Sequence, residues 1–237
     1  MINKNLMKRN KFYTLCGLFL LASCQQEETP STSGEGYLSL TGIEILNQSI
    51  TKVESRAVDE SLVVELYKGG ELKSTLTAEE LENIIKLEAA TDYSLKVYSE
   101  NYGSDAEWTN EEKGEPIYYK EQLFEVKEGE ITPVKVQVPM VNFAVKLSMP
   151  AQDWISGYTF TVASGERKVT LLDGETAYFP YSESASFNYT LQLTNADKEE
   201  FYLFGEYGAD ENKSLAFNTC YVVTYQMATQ SLSVADR

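Results

Sequence analysis

From residue 37 onward, apolar and polar side chains alternate in short runs broken by Gly, Asn and Asp, the pattern of half-buried strands in a β-sandwich. Leu38 and Leu40 alternate, then Gly42 shifts the phase and Ile43 and Ile45 continue it. A glycine at such a phase break predicts a bulge or bend. Residues 62–67 and 71–76 flank Gly69-Gly70 and predict a hairpin. Thr77 stands three residues before Glu80, the spacing of a capping box, and opens one short helix running to about Ile84. Tyr93, Leu95 and Val97 mark the next strand, and 117–126 and 131–138 give two more.

The apolar stretch 134–147 is too long for one strand, and Pro139 inside it cannot serve a central ladder. A boundary near residue 140 follows. Beyond it the strand segments are 142–149, 158–163, 168–172, 185–193, 200–207 and 221–227. A faint internal repeat matches Tyr93-Ser94-Leu95-Lys96-Val97 to Tyr189-Thr190-Leu191-Gln192-Leu193. The expected architecture is therefore all-β: two sandwich domains in tandem, 37–140 and 141–237, with one short helix.

The first 36 residues follow another pattern. Lys4, Lys8, Arg9 and Lys11 precede an uncharged, mostly apolar run of 11 residues, 12–22, and Leu21-Ala22-Ser23-Cys24 follows as a lipobox. That run falls well short of the roughly 20 residues that a membrane-spanning helix needs, and it reads as a secretory signal. Residues 1–23 are the expected signal peptide, Cys24 the lipidated residue, and 24–36 a polar tether without apolar periodicity. Loss of the signal removes four basic residues and no acidic ones, taking the net charge from −16 to −20. Such a surface repels phosphate backbones and anionic headgroups, so nucleic-acid binding is not expected, and the acyl chains must supply the membrane attachment.

Apolar residues at 43% are enough to build a packed core. Of the three cysteines, Cys16 leaves with the signal and Cys24 carries lipid, which leaves Cys220 without a disulfide partner. The absence of histidine removes Ser-His and Cys-His nucleophile pairs and every histidine metal ligand, so neither an enzyme, a metal site nor a cofactor is expected. The acidic pairs Glu111-Glu112 and Glu199-Glu200 read as solvated charge. Trp108 lies in an acidic, turn-rich loop. An exposed indole there could stack on a sugar ring, with Asp105 and Asn110 bonding hydroxyls, but the ordinary alternative is a lid folded back on the first sandwich. Tyr178, Phe179 and Tyr181 around Pro180 form a second aromatic loop, read with the same two alternatives.

With the lipobox, the early strand, Ser55-Arg56-Ala57-Val58-Asp59 and two sandwich-like halves in that order, the chain resembles the fimbrillin-like lipoproteins of Gram-negative oral and gut anaerobes, and within them an uncharacterised lipoprotein family. The resemblance implies transthyretin-like or Ig-like β-sandwich domains and a non-enzymatic, lipid-anchored protein on the outer membrane, exposed at the cell surface. It also implies a structural or adhesive role as a minor, tip or anchor subunit. In pilins of this type a protease cuts after an arginine following the first strand, and the opened groove accepts a strand from another subunit; here the cut would follow Arg56 and free residues 37–46. Implied partners are the membrane through the lipid, other fimbrial subunits by strand exchange, and a glycan or host ligand. The alternative reading is a surface glycan-binding lipoprotein serving a nutrient importer, with Trp108, Tyr178 and Tyr181 as its aromatics.

Overall fold

The computed structural model describes residues 34–46, 62–149, 154–210 and 213–236. In chain order these form β1 (Glu35–Leu46), β2 (Leu62–Lys68), β3 (Glu71–Thr75), α1 (Ala78–Glu82), β4 (Ile84–Glu88), β5 (Ala90–Ser99), β6 (Tyr119–Val126) and β7 (Ile131–Pro139). They continue as β8 (Phe143–Ser148), β9 (Ile155–Ser164), β10 (Arg167–Leu171), β11 (Thr176–Phe179), β12 (Phe187–Asn195), β13 (Glu200–Tyr207), β14 (Cys220–Gln226) and β15 (Ser231–Asp236). The class is all-β, as the alternation predicts.

Four small sheets carry these strands, in the orders β4-β1-β7, β3-β2-β5-β6, β11-β8-β14-β15 and β10-β9-β12-β13. They are arranged as β-sandwich-like domains. The first two sheets enclose one apolar cluster, with Leu38, Leu95, Val97, Val136 and Val138 fully buried. The other two enclose a second, rich in aromatic rings: Phe143, Phe160, Phe179 and Phe187 are fully buried, and Phe143 stacks on Phe179 and Phe187 at 5.6 and 6.1 Å. Alternation decides which side faces inward. On β12, Phe187, Tyr189, Leu191 and Leu193 point into the core while Asn188 and Thr190 face solvent.

Local signals placed several elements. Gly69 and Gly70 both have positive φ, 59° and 80°, and Lys68 pairs with Glu71 across them, so the turn demands residues without a Cβ. The Thr77 hydroxyl accepts from the Glu80 amide and the Glu80 carboxylate accepts from the Thr77 amide, a complete capping box. The ladder of β1 shifts register between Leu40 and Gly42, where the phase breaks. Other elements differ from expectation. The helix ends at Glu82, and Ile84–Glu88 turns away as β4 to pair with β1. The aromatic segment before Pro180 is not a loop: Tyr178 and Phe179 belong to β11, paired with Ala144 and Phe143. β15, a polar segment with a weak apolar pattern, was not anticipated; its partner β14 holds it in register from Tyr221↔Asp236 to Gln226↔Ser231.

Where the two pairs of sheets meet, backbone groups are satisfied by two buried asparagines. The Asn142 side chain, fully buried, accepts from the Ile117 amide at 3.2 Å and donates to the Glu115 carbonyl at 2.9 Å. The Asn218 side chain accepts from the Met140 amide at 3.0 Å, and its own amide donates to the Asn142 carbonyl at 3.0 Å. An amide side chain is suited to this place because it offers donor and acceptor at once without burying a charge. Asn142→Ala should lower stability by about 1–3 kcal/mol, since it leaves the buried Ile117 amide and the part-buried Glu115 carbonyl unpaired. Asn142→Asp should do no better, because it sets a carboxylate against the Glu115 carbonyl. The midpoint of urea unfolding checks both variants, and a midpoint within error of the parent protein would show that the junction does not depend on this side chain.

Candidate functional site

The strand β1 is seated between two partners of unequal reach. Glu35–Ser39 pairs antiparallel with β4 on one side, while residues Tyr37 to Leu46 pair parallel with β7 on the other. Past Ser39 the ladder on the β4 side stops, and the rest of β1 is held from one edge only. Leu38 is fully buried and Ile43 nearly so, with Leu40 packed against the same cluster. Burial of each such side chain contributes about 1.5–3 kcal/mol, so apolar contact and ladder bonds together fix the strand. The ion pairs Lys86–Glu35 and Lys135–Glu44 on its rim are exposed and add little.

A second feature is the loop between β5 and β6. It leaves the first pair of sheets and lies across the free edges of β10 and β11. The Glu111 amide donates to the Lys168 carbonyl at 3.0 Å, the Lys168 amide donates to Asn110 Oδ1 at 2.8 Å, and the Thr170 amide donates to Glu111 Oε2 at 3.1 Å. On the facing sheet the Tyr178 amide donates to the Lys113 carbonyl at 2.7 Å, and Lys113 pairs with Glu175 at 2.5 Å. Glu112 folds back to accept from the Thr109 amide and hydroxyl, and those bonds hold its carboxyl below the usual carboxylate range. The pair Glu111-Glu112, which reads as solvated charge, thus closes a sheet edge and caps a turn.

Arg167 is the centre of this contact. Its guanidinium donates to the Tyr178 carbonyl at 2.7 Å and to the Glu112 carbonyl, and it lies over the rings of Trp108 and Phe179 at 5.1 and 4.8 Å. Burial lowers its pKa, and the Glu112 and Asp105 carboxylates oppose that shift. Gly114, at φ 67°, lies against the other partner of this stack: a Cβ there would come within 2.6 Å of the indole. Trp108 is therefore a lid, but on Arg167 of β10 and not on the first pair of sheets. Sequence spacing could not reveal this, because Arg167 lies far along the chain.

The sequence-derived candidates do not converge on one surface. Arg167 links the Trp108 ring to the main-chain carbonyl of Tyr178 and not to its ring, and Asn110 is engaged by the Lys168 amide. Burial raises the pKa of Tyr178. Tyr181 stands elsewhere, tilted against Phe217 at 5.8 Å, and Phe217 in turn lines a cleft with Leu46, Lys120, Lys135 and Asp236. Cys24 and Arg56 lie outside the described residues. Among the described residues, no group of three or more acidic or cysteine side chains is placed to hold a metal ion, and no helix is long and apolar enough to cross a membrane.

A family model described as a domain of unknown function, DUF4493, matches residues 34–235. No curated protein matches the chain. Among solved structures the chain is similar to a candidate cell adhesion protein of Bacteroides uniformis ATCC 8492, with 12% identity and a TM-score of 0.44 over 87% of this chain and 97% of that one. It is similar also to a fimbrilin of Porphyromonas gingivalis W83, with 11% identity and a TM-score of 0.46 over 86% of this chain and 96% of that one. A candidate cell adhesion protein of Bacteroides eggerthii DSM 20697 gives 11% identity and 0.42 over 82% and 86%.

Arg167→Ala should release the loop from β10 and β11, because it removes two charge-assisted hydrogen bonds and the cation between two rings, about 2–4 kcal/mol in all. Arg167→Lys should recover only part of this, since an ammonium cannot fork between two carbonyls. In a Trp154→Phe background, the emission of Trp108 should shift to the red and a protease should gain access near residues 109–113. Unchanged emission and unchanged melting would rule out a clasp centred on Arg167.

Proposed function

The chain belongs to the DUF4493 family of domains of unknown function, and from that premise we propose that it is a non-enzymatic, surface-displayed lipoprotein of fimbrillin type, a minor, tip or anchor subunit in a structural or adhesive role. Two sandwich domains, 37–140 and 141–237, stand on a tether lipidated at Cys24 in the outer membrane. The observation that carries the reading is the seat of β1. It is a long strand near the start of the family match, held by β4 and β7, with Leu38 buried between the two sheets. A strand seated in this way is a self-supplied version of strand addition.

Residues 47–61, which join β1 to β2, contain Arg56. A cut after Arg56 leaves β1 attached to the lipid and severs it covalently from everything that follows. The remainder is then held at the membrane only by the β1 ladder and its apolar contacts. Departure of β1 exposes backbone donors and acceptors of β4 and β7 beside the cavity that Leu38 and Ile43 filled, and a strand from another subunit meets both needs. The alternative reading, a glycan binder using Trp108, Tyr178 and Tyr181, has less support, because the Trp108 ring is taken up by Arg167 and Tyr181 packs apart from it against Phe217.

A trypsin-like protease acting on the non-lipidated protein should produce a new N-terminus at Ala57, followed by growth in light scattering alone or with candidate partner subunits. Arg56→Ala should stay monomeric. A cut at Arg56 with no assembly under any of these conditions, or resistance at that site in the folded protein, would contradict the assembling role. Cys24→Ser should abolish fatty-acid labelling and membrane retention together, and undiminished labelling of that variant would refute the assignment of the lipid to Cys24.

A further inference from the structure

The sheet β10-β9-β12-β13 has one face in the aromatic core and one face open. Its open face carries two cross-strand rows. One runs Thr161 on β9, Thr190 on β12, Phe204 on β13; the next runs Thr159, Gln192, Tyr202 on the same three strands. Phe204 is 84% exposed and Tyr202 58%, an unusual placement for rings of that size on the same side of one strand. Tyr202 is also held: its hydroxyl accepts from Gln192 Nε2 at 3.0 Å and donates to Glu200 at 2.7 Å. The two rows contain no charged residue.

We infer that this face, with Phe204 and Tyr202 as its platform and the threonine and glutamine side chains as its polar floor, binds an extended, uncharged oligosaccharide. Three properties select that chemistry. Sugar rings present C–H faces that pack on exposed aromatic rings, and their hydroxyls pair with hydroxyl and amide side chains, which both donate and accept. Residues two apart on a strand lie about 6.5–7 Å apart and neighbouring strands about 4.8 Å apart, so the floor is flat and regular and suits a linear chain, not a compact one. Charge narrows the occupant further: the rows themselves are neutral while Glu200 and Glu206 flank the two rings on the same strand, so an acidic polymer is repelled and an uncharged one is not. The face is separate from Trp108 and Tyr178 and from the seat of β1, so the inference goes beyond the assembly reading and holds whether or not the chain is cut.

The test uses the non-lipidated Arg56→Ala protein, in which strand exchange does not enter, titrated calorimetrically with cellohexaose, mannohexaose and xylohexaose. At least one should bind. Phe204→Ala should weaken that binding about tenfold or more, equivalent to about 1.4 kcal/mol, and Tyr202→Ala and Gln192→Ala should each weaken it severalfold. Circular dichroism should show all three variants folded, and Trp108→Phe should bind as the parent does. Failure of all three oligosaccharides to bind at millimolar concentration would overturn the inference. So would equal loss of binding in Trp108→Phe and Phe204→Ala, or a dimer in light scattering that Phe204→Ala dissolves while no sugar binds.

Discussion

Every sheet edge carries a row of backbone N–H and C=O groups that something must meet, and this fold is organised around that requirement. Among the described residues, four sheets present eight edge strands, two each, and β-rich chains that leave such edges open associate with one another. The chain answers in several ways. The β5–β6 loop lies along β10 and β11 and bonds to both. The strand β1 fills the gap between β4 and β7, although β4 accompanies it only to Ser39. The asparagines at 142 and 218 supply side-chain partners where the chain crosses from one pair of sheets to the next.

These solutions differ in how firmly they bind chain to chain, and that difference connects structure to the proposed role. The contact around Arg167 combines forked hydrogen bonds with a cation between two rings, and one side chain can disable it. The seat of β1 is distributed over a long ladder and several apolar side chains, so loss of any one apolar contact does not open it. A cut in the chain changes the topology, because the strand can then leave without unfolding the remainder. β13 is different again: its edge is free and its rings are exposed, which is tolerable because Glu200 and Glu206 flank them and the whole chain is strongly negative.

Much of this was legible where the signal is local. The Gly69-Gly70 turn, the Thr77–Glu80 cap, the break at Gly42 and the alternation of Tyr93, Leu95 and Val97 each depend on neighbours in sequence, and each appears as its chemistry requires. β4 was hidden because Ile84 and Ile85 follow directly on a helix and continue its apolar signal. β11 was hidden because a short aromatic run before a proline looks like a turn, although the register to β8 makes it a strand. The contact at Arg167 was not legible at all, since the pair Glu111-Glu112 reads as solvated charge until the edges of β10 and β11 are beside it. Phe204 and Tyr202 read as strand residues with no hint of which face would be open, because that depends on which sheet covers which.

Assembly by strand exchange requires β1 to be separable from the rest of the fold, and exchange of that strand measures this most directly. Protein cut after Arg56 is mixed with an excess of fluorescent peptide spanning residues 35–46, and incorporation is followed by anisotropy and by mass spectrometry of the complex under native conditions. The peptide should replace the resident strand in a stoichiometric complex, and the same peptide carrying Leu38→Glu should not, because a carboxylate cannot occupy the buried site of Leu38. Retention of the original strand with no uptake of peptide, or equal uptake of both peptides, would contradict assembly by strand exchange.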